Sequence, residues 1–236
     1  MKMDGRAVQK PIEVVCINGL PYVGKDTQAE LMVENDPTAV RISPGQILRD
    51  VVANRNGYRK FFAFEPKKLR ADLKVGRLVD GDILAKGLAQ IVAGEIAKGK
   101  SRIVFAGWPR EEESFGIFQD FVSELRSQDT AVNVNFIYLR ASEEEVLRRF
   151  EKELHAKKVR GREPREDDTP EGFAKRVAVF NLKKKPFLSR HAEEIGLLYV
   201  ESGQTKHKTQ EGVLRALSAH GDRIMEGYRL PPQARR

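Results

Sequence analysis

The chain has 236 residues, a formal net charge of +8 and a pI near 9.5, which indicates an anionic partner such as nucleic acid, a membrane surface or phosphorylated small molecules. Its single cysteine excludes a disulfide framework within one chain and favours a reducing environment. Nowhere do about eighteen apolar residues run together, and no apolar stretch follows the charged start M-K-M-D-G-R, so we expect no membrane span, no signal peptide and a soluble, cytoplasmic protein.

Apolar and β-branched runs alternate along the chain with segments of helical periodicity. We expect strands at 12–17, 39–42, 101–106, 132–139 and 197–201, and helices at 24–33, from 43 onward, at 66–74, from 80 or 82 to 98, and at 111–126, 142–155, 170–194 and 208–227. Strands separated by helices throughout predict an α/β fold, a three-layer sandwich with a five-stranded parallel sheet.

The first strand ends in I-N-G-L-P-Y-V-G-K-D-T-Q, which has the layout of a phosphate-binding loop. Gly19 and Gly24 allow a tight turn whose N–H groups point inward, and Lys25 adds a positive charge at a helix N-terminus. One residue departs from the motif, because Asp26 stands where a hydroxyl is expected and Thr27 follows it.

Two further stretches point to the same edge of the sheet. G-W-P-R at 107–110 follows the third strand, where open parallel sheets bind ligands. The charged stretch 155–168 has few core residues and is typical of a mobile loop. The four histidines have no metal-ligand spacing, and we expect them to face solvent.

Five motifs in order resemble the adenylate kinase branch of the nucleoside monophosphate kinases, from about Val14 to Leu217. G-L-P-Y-V-G-K-D-T-Q is similar to the family's phosphate loop, R-I-S-P-G-Q-I-L-R to I-S-T-G-D-x-L-R, G-R-L-V to G-K-L-V, and A-G-W-P-R to D-G-F-P-R. R-E-D-D-T-P-E-G-F-A-K-R resembles the family's arginine-rich R-x-D-D stretch, which ends in a second arginine at the same distance. The resemblance implies the P-loop fold and transfer of the γ-phosphoryl group of ATP to a nucleoside monophosphate, with AMP as the default acceptor.

The resemblance also implies the domain organisation. We expect a single core domain over 10–236, an inserted monophosphate-binding segment at about 43–80, a short lid at about 155–168, and flexible tails at 1–9 and 229–236. The expected partners are nucleotides, with Mg²⁺ accompanying ATP, and the protein is expected to be a monomer. The short lid carries no cysteine, so no structural zinc is expected.

Site residues follow from the same motifs. The implied catalytic residues are Lys25, Arg110, Arg148, Arg165 and Arg176, with Asp167 and Asp168 on the lid side. The implied ATP site contains Gly19, Tyr22, Val23, Gly24, Lys25, Asp26, Thr27, Arg148 and Gln204. The implied monophosphate site contains Ser43, Gly45, Arg49, Leu78, Val79, Gly107, Arg110, Ser114, Arg165 and Arg176.

Several positions depart from the family pattern. Ala106 replaces an aspartate that holds water around Mg²⁺, while Asp26 adds a carboxylate in the loop. Either Asp26 compensates as a metal ligand, or it caps the helix while nucleotide and water hold the metal. Tyr22 stands where glycine is usual, so it either keeps a negative φ or accepts strain, and its ring either covers the phosphates or packs outward. Ser114 replaces a base-reading amide, and Glu111, Glu112 and Glu113 crowd the same turn.

These departures leave two alternatives beside the kinase. One is a nucleotide-binding relative with weakened catalysis. The other is a nucleic-acid-binding module that uses the basic stretches 157–165, 183–185 and 235–236. Aromatic residues interleaved with charge are sparse, so nucleic acid is the less favoured partner.

Overall fold

The computed structural model describes residues 11–74, 79–127, 131–161, 168–203 and 205–224. A five-stranded sheet runs through the centre of this part of the chain, with all strand pairs parallel and in the order β2-β3-β1-β4-β5. The strands are β1 (Ile12–Gly19), β2 (Ala39–Ile42), β3 (Arg102–Ala106), β4 (Val132–Arg140) and β5 (Leu198–Glu201). The predicted α/β fold with a five-stranded parallel sheet is therefore confirmed.

Helices cover both faces of the sheet. They are α1 (Lys25–Asn35), α2 (Pro44–Val52), α3 (Pro66–Lys74), α4 (Gly81–Ala97), α5 (Glu112–Ser127), α6 (Glu143–Val159), α7 (Pro170–Val179), α8 (Lys185–Arg190) and α9 (Lys206–Ile224), with a 3₁₀ turn at Tyr58–Phe61 and a π-helical turn at Phe180–Lys184. None of the described helices combines the length and apolarity needed to cross a bilayer.

Strand β1 divides the two hydrophobic cores. Val14 and Cys16 pack into one core with α2, α3, α4, α5 and α8, whereas Val15 and Ile17 pack into the other with α1, α6, α7 and α9. Successive side chains on a strand point to opposite faces, which is why an unbroken apolar run suits this central strand. Its carboxyl end is thereby fixed between β3 and β4.

Side-chain caps set several helix starts. Asp80 Oδ1 accepts a hydrogen bond from Ile83 N at the start of α4, and Ser142 Oγ accepts one from Glu145 N at the start of α6. These two bonds confirm the caps predicted from the sequence, Asp80 rather than Asp82 being the cap of α4.

The prediction that α6 ends near His155 is wrong, because the helix continues to Val159. Its last turn carries Lys157 and Lys158, whose charge suits a helix C-terminus. Lys157 Nζ also lies 2.7 Å from the carboxylate of Asp168. The start of the proposed lid segment, residues 155–159, thus belongs to α6, and residues 162–167 lie outside the described part.

The prediction of one helix over 170–194 is also wrong, since a π-helical turn separates α7 from α8. Pro186 lacks the N–H that a continuous helix would use. His191, which ends this region, is not solvent-facing as predicted. Its ring lies 5.3 Å from that of Phe115 and 5.0 Å from that of Phe187, and its Nδ1 lies 2.6 Å from Glu194 Oε2.

Candidate active site at the phosphate loop

The site lies where β1 meets its two neighbours. Along the sheet, Ile17 is level with Ala106 of β3 and with Ile137 of β4. The chain goes from β1 through α1 to the β2 side, and returns later to β4 on the other side, so this edge is a switch point in strand order. Ligands bind at such points in open parallel sheets.

Glycines give the loop its path. Gly19 has φ +141°, and a Cβ at this position would lie 2.6 Å from the carbonyl oxygen of Leu139. Gly24 has φ +101° and directly precedes α1. Both positions therefore require glycine, and they direct the loop toward the N-terminus of α1.

Lys25 lies folded against its own loop. Its Nζ donates to the carbonyl oxygens of Gly19 at 3.1 Å and Leu20 at 2.6 Å. Burial lowers its pKa to about 8, Asp26 opposes that shift, and the positive charges of Lys184 and Arg110 add to it. An ammonium held by neutral carbonyls among other cations favours an anion as its ligand.

A cavity of about 1180 Å³ opens over the loop. It exceeds the range of about 300–1,000 Å³ usual for small-ligand pockets, which leaves room for more than one small substrate. It brings together eleven of the predicted site residues: Gly19, Tyr22, Val23, Gly24, Lys25, Asp26, Thr27, Gly107, Arg110, Arg148 and Arg176.

The cavity also contains basic residues that the motifs did not single out for this site. They are Arg41, Arg149, Lys152, Lys157, Lys184 and Lys206. Two buried amide atoms in its wall, Asn18 Nδ2 and Gln28 Oε1, have no hydrogen-bond partner among the described residues. Buried polar atoms are normally paired, so these two are suited to a polar ligand.

Tyr22 accepts the strained conformation, with φ +59°. Its ring packs away from the loop, 5.2 Å from the ring of Phe150 and 5.9 Å from that of Phe173. Its hydroxyl donates to Asp168 Oδ1 at 2.7 Å. Desolvation by burial, followed by the bond to Asp168, raises the pKa of Tyr22.

Asp168 is the centre of a polar cluster on the lid side. Its side chain is only 2% exposed, and it accepts from Lys157 Nζ at 2.7 Å and Arg176 Nη2 at 3.2 Å as well as from Tyr22. The cluster connects the phosphate loop, α6 and the start of α7. A buried carboxylate needs such partners, so Arg176 is held beside the loop.

Asp26 lies in the first turn of α1, where the helix dipole favours its charge. Its carboxylate forms an ion pair with Arg41 of β2, and its side chain remains 65% exposed. Arg41 also donates to Glu30 at 2.8 Å. The acidic residue in the loop is thus neutralised by a basic residue that sequence motifs alone did not connect with it.

Arg148 and Arg149 occupy different faces of α6. The side chain of Arg148 is 74% exposed and pairs with Glu145, whereas that of Arg149 is 25% exposed. Arg149 donates to Val23 O at 3.0 Å and also to the carbonyl oxygen of Ser202. Arg149 therefore stabilises the phosphate loop by hydrogen bonding, and the role of Arg148 stays a prediction.

The predicted monophosphate residues divide into two groups. Gly107, Arg110 and Arg176 line the cavity, while Ser43, Gly45, Arg49, Val79 and Ser114 do not. Ser114 is buried, accepts from the backbone N–H groups of Arg110 and Glu111, and donates to Glu111 O. Its hydroxyl is engaged in ordering this turn. Leu78, Arg165, Asp167 and Gln204 lie outside the described residues.

Comparisons with known proteins agree with this geometry. A family model described as an AAA domain matches residues 15–171. An adenylate kinase of Oenococcus oeni is 30% identical over 181 residues, 77% of this chain and 84% of the relative. One of Bartonella tribocorum is 29% identical over 191 residues, 80% and 91% of the two chains, and one of Nitrobacter winogradskyi is 27% identical over 208 residues, 86% and 92%.

Proposed function

Because the chain belongs to the adenylate kinase family, we propose that it is a nucleoside monophosphate kinase that transfers the γ-phosphoryl group of ATP to a monophosphate, with AMP as the acceptor. The observation that carries the proposal is that Lys25, Arg110 and Arg176, from three separate parts of the chain, line one cavity at the switch point. The relatives' shared name supports AMP over other acceptors.

Phosphoryl transfer needs positioning and charge more than covalent help. In the proposed reaction the loop N–H groups and Lys25 bind the phosphates of ATP, and Arg110 binds the phosphate of the acceptor, for which a bidentate guanidinium is suited. Arg176 then stabilises the charge that develops on the transferred group. The closure predicted from the sequence for segments 43–80 and 155–168, each of which includes residues outside the described part of the chain, would exclude water, which otherwise competes as acceptor.

Mg²⁺ with ATP is part of the proposal. The described residues contain no group of three carboxylate, histidine or cysteine side chains able to hold a metal ion. Mg²⁺ commonly takes one or two carboxylates plus substrate phosphates and keeps several waters. The hydroxyl of Thr27 is the group near the loop that fits this role, and Asp26 would fit it only on release from Arg41, so the phosphates of ATP would provide most of the binding. The ion would neutralise phosphate charge.

The decisive test is a panel of AMP, GMP, CMP and UMP with Mg-ATP, scored by ADP formation. We expect the highest kcat/KM with AMP. Lys25→Met should lower turnover by about 10²- to 10³-fold, since one preorganised donor at a reacting centre contributes that much. That variant also excludes a contaminating kinase as the source of ADP.

Calorimetry with ATP alone completes the test. If ATP binds and no monophosphate is turned over, the protein is a nucleotide-binding relative without kinase activity, and the proposed function is wrong. Turnover with a monophosphate other than AMP would overturn the acceptor and keep the reaction class. The cytoplasmic location and the monomeric state remain predictions from the sequence.

A further inference from the structure

Three consecutive lysines at 183–185 face different surroundings. Lys183 and Lys185 are exposed, whereas Lys184 is half-buried and lines the cavity over the phosphate loop. In the sequence, this run was one of the basic stretches assigned to the less favoured nucleic-acid alternative. The structure separates its middle residue from the other two.

The π-helical turn at Phe180–Lys184 accounts for this separation. Phe180 is buried at its start, and Phe187 and Leu188 are buried just after its end, so both sides of the turn are anchored in the cores. Single π-helical turns inside helices occur frequently at functional sites. Here the turn ends on Lys184, which lines the same cavity as Arg110 and Lys25.

The surroundings of Lys184 are positively charged. Burial, and after it the charge of Arg110, lowers the pKa of Lys184 to about 8, while the nearby Glu111 opposes the shift. Lys184 in turn lowers the pKa of Lys25. Within the described residues Lys184 forms no ion pair, although Arg41, Arg149 and Lys157 in the same cavity each have an acidic partner. A half-buried cation without such a partner is costly unless an anion binds it.

We propose that Lys184 is a further catalytic residue. It binds the phosphoryl group in transfer, between the donor nucleotide's phosphates at Lys25 and the acceptor's phosphate at Arg110. An ammonium group offers three donors as a compact charge and suits the oxygens of a phosphate in transfer. Neither a proton transfer nor a covalent bond to Lys184 is required. The catalytic part of this inference rests on the proposed kinase reaction, whereas phosphate binding by Lys184 does not.

Kinetics test the catalytic part with matched variants from one run of lysines. Lys184→Met should lower kcat with Mg-ATP and AMP by about 100-fold or more, as expected for a donor that acts on the transition state. Lys184→Arg should recover part of that loss because it keeps the charge. Lys185→Met, which removes the same charge from an exposed neighbour, should stay within about twofold.

A pH profile separates this role from a merely structural one. The free-enzyme pKa values govern kcat/KM, so wild-type kcat/KM should fall as the pH rises through about 8, where Lys184 loses its proton. In Lys184→Met the fall should be shallower, because that group is gone. An unchanged slope, or a Lys184→Met kcat equal to that of Lys185→Met, would overturn the catalytic role.

Binding of inorganic triphosphate without metal tests the site independently of turnover. Calorimetry at pH 7 should show about tenfold weaker binding for Lys184→Met than for wild type and an unchanged affinity for Lys185→Met, since one lost charge-assisted contact is worth about 1.5 kcal/mol. If no monophosphate is turned over but this difference appears, the proposed function fails and the phosphate site remains. If wild type is active and the difference is absent, the inference about Lys184 fails alone.

Discussion

Tyr22 combines a backbone cost with a side-chain tether. A non-glycine residue with φ +59° costs about 1–2 kcal/mol relative to glycine, so something must offset that strain. The ring contacts with Phe150 and Phe173 and the hydrogen bond to Asp168 are the contacts that do so. The same contacts join the phosphate loop to the start of α7. Tyr22 therefore acts as a positioning residue for Arg176, which shares Asp168.

Replacing Tyr22 by phenylalanine should lower the free energy of unfolding by about 1.5–3 kcal/mol, the usual contribution of a hydrogen bond to a charged partner. Urea denaturation measures this change. Tyr199→Phe is the matched control, because its ring is half-exposed and packs on Arg140, and it should change stability by less than about 0.5 kcal/mol. Equal effects of the two substitutions would contradict the tether.

Asp26 shows how a loop can contain an acidic residue and still suit a triphosphate. In the absence of nucleotide, the ion pair with Arg41 neutralises the carboxylate of Asp26. Asp26→Asn should release Arg41 and tighten metal-free ATP binding by roughly fivefold, since one exposed charge at about 4 Å contributes about 1 kcal/mol. Glu30→Gln removes the other acidic partner of Arg41, one turn further along α1. We expect it to increase metal-free ATP affinity less than Asp26→Asn does.

The competing role of Asp26 makes the opposite prediction. A carboxylate that holds Mg²⁺ would give no gain in metal-free affinity on Asp26→Asn, and Mg²⁺-dependent turnover would fall. Titration of ATP with and without Mg²⁺ on both variants distinguishes the two roles. The ion pair with Arg41 favours the first.

At the scale of elements, two of the three glycines of α4, Gly87 and Gly94, have opposite surroundings. A Cβ at Gly87 would lie 2.1 Å from Cε1 of Phe62, whereas one at Gly94 would meet nothing within 4 Å. Phe62 is buried and follows the 3₁₀ turn, so Gly87 is the point where the proposed monophosphate segment packs on α4. The close approach of Phe62 explains why α4 has a glycine at this position.

These two glycines allow a matched prediction. Gly87→Ala should destabilise the protein by about 1–3 kcal/mol through overpacking, and Gly94→Ala should stabilise it by about 0.5–1 kcal/mol through helix propensity. Thermal denaturation of both variants checks the signs. A stabilising Gly87→Ala would mean that Phe62 moves aside freely, contrary to its buried position.

The sequence predicted which helices and strands form better than it predicted where they end or which side of a helix faces the site. Strand β1 was predictable because its apolar run is buried on both faces, and Asp80 and Ser142 were predictable as caps from local chemistry. Which of Arg148 and Arg149 faces the phosphate loop was not predictable. Neighbouring residues on a helix are about 100° apart around its axis, and only packing determines which side faces the loop. The π-helical turn that places Lys184, and the pairing of Asp26 with Arg41 across two elements, likewise depend on tertiary contacts.

At the scale of the whole molecule, the charge of +8 is partly concentrated around one cavity, which makes the empty protein sensitive to pH. Lys25 and Lys184 have pKa values of about 8, below the ordinary 10.5. Above pH 8 the native protein has released protons that the unfolded chain still binds, so stability rises with pH. Cys16, Tyr22 and Tyr138 have raised pKa values in the native protein, so they lower stability as the pH rises. Their effect begins only as these groups ionise in the unfolded chain, near pH 9.0 for the thiol and pH 10.0 for the phenols.

The melting temperature of the empty protein should therefore rise between pH 8 and about 9 in a buffer without phosphate, while kcat/KM falls over the same interval. Lys184→Met should show a smaller rise, because the variant lacks Lys184 and also loses its lowering effect on the pKa of Lys25. Inorganic triphosphate at pH 7.5 should raise the wild-type melting temperature, because a bound anion stabilises the charged lysines. For the same reason, the melting temperature should rise less with pH in its presence than in its absence. Differential scanning calorimetry measures both effects. Identical pH curves for wild type and Lys184→Met would mean that Lys184 is hydrated in the empty protein and does not share in the repulsion around the phosphate loop.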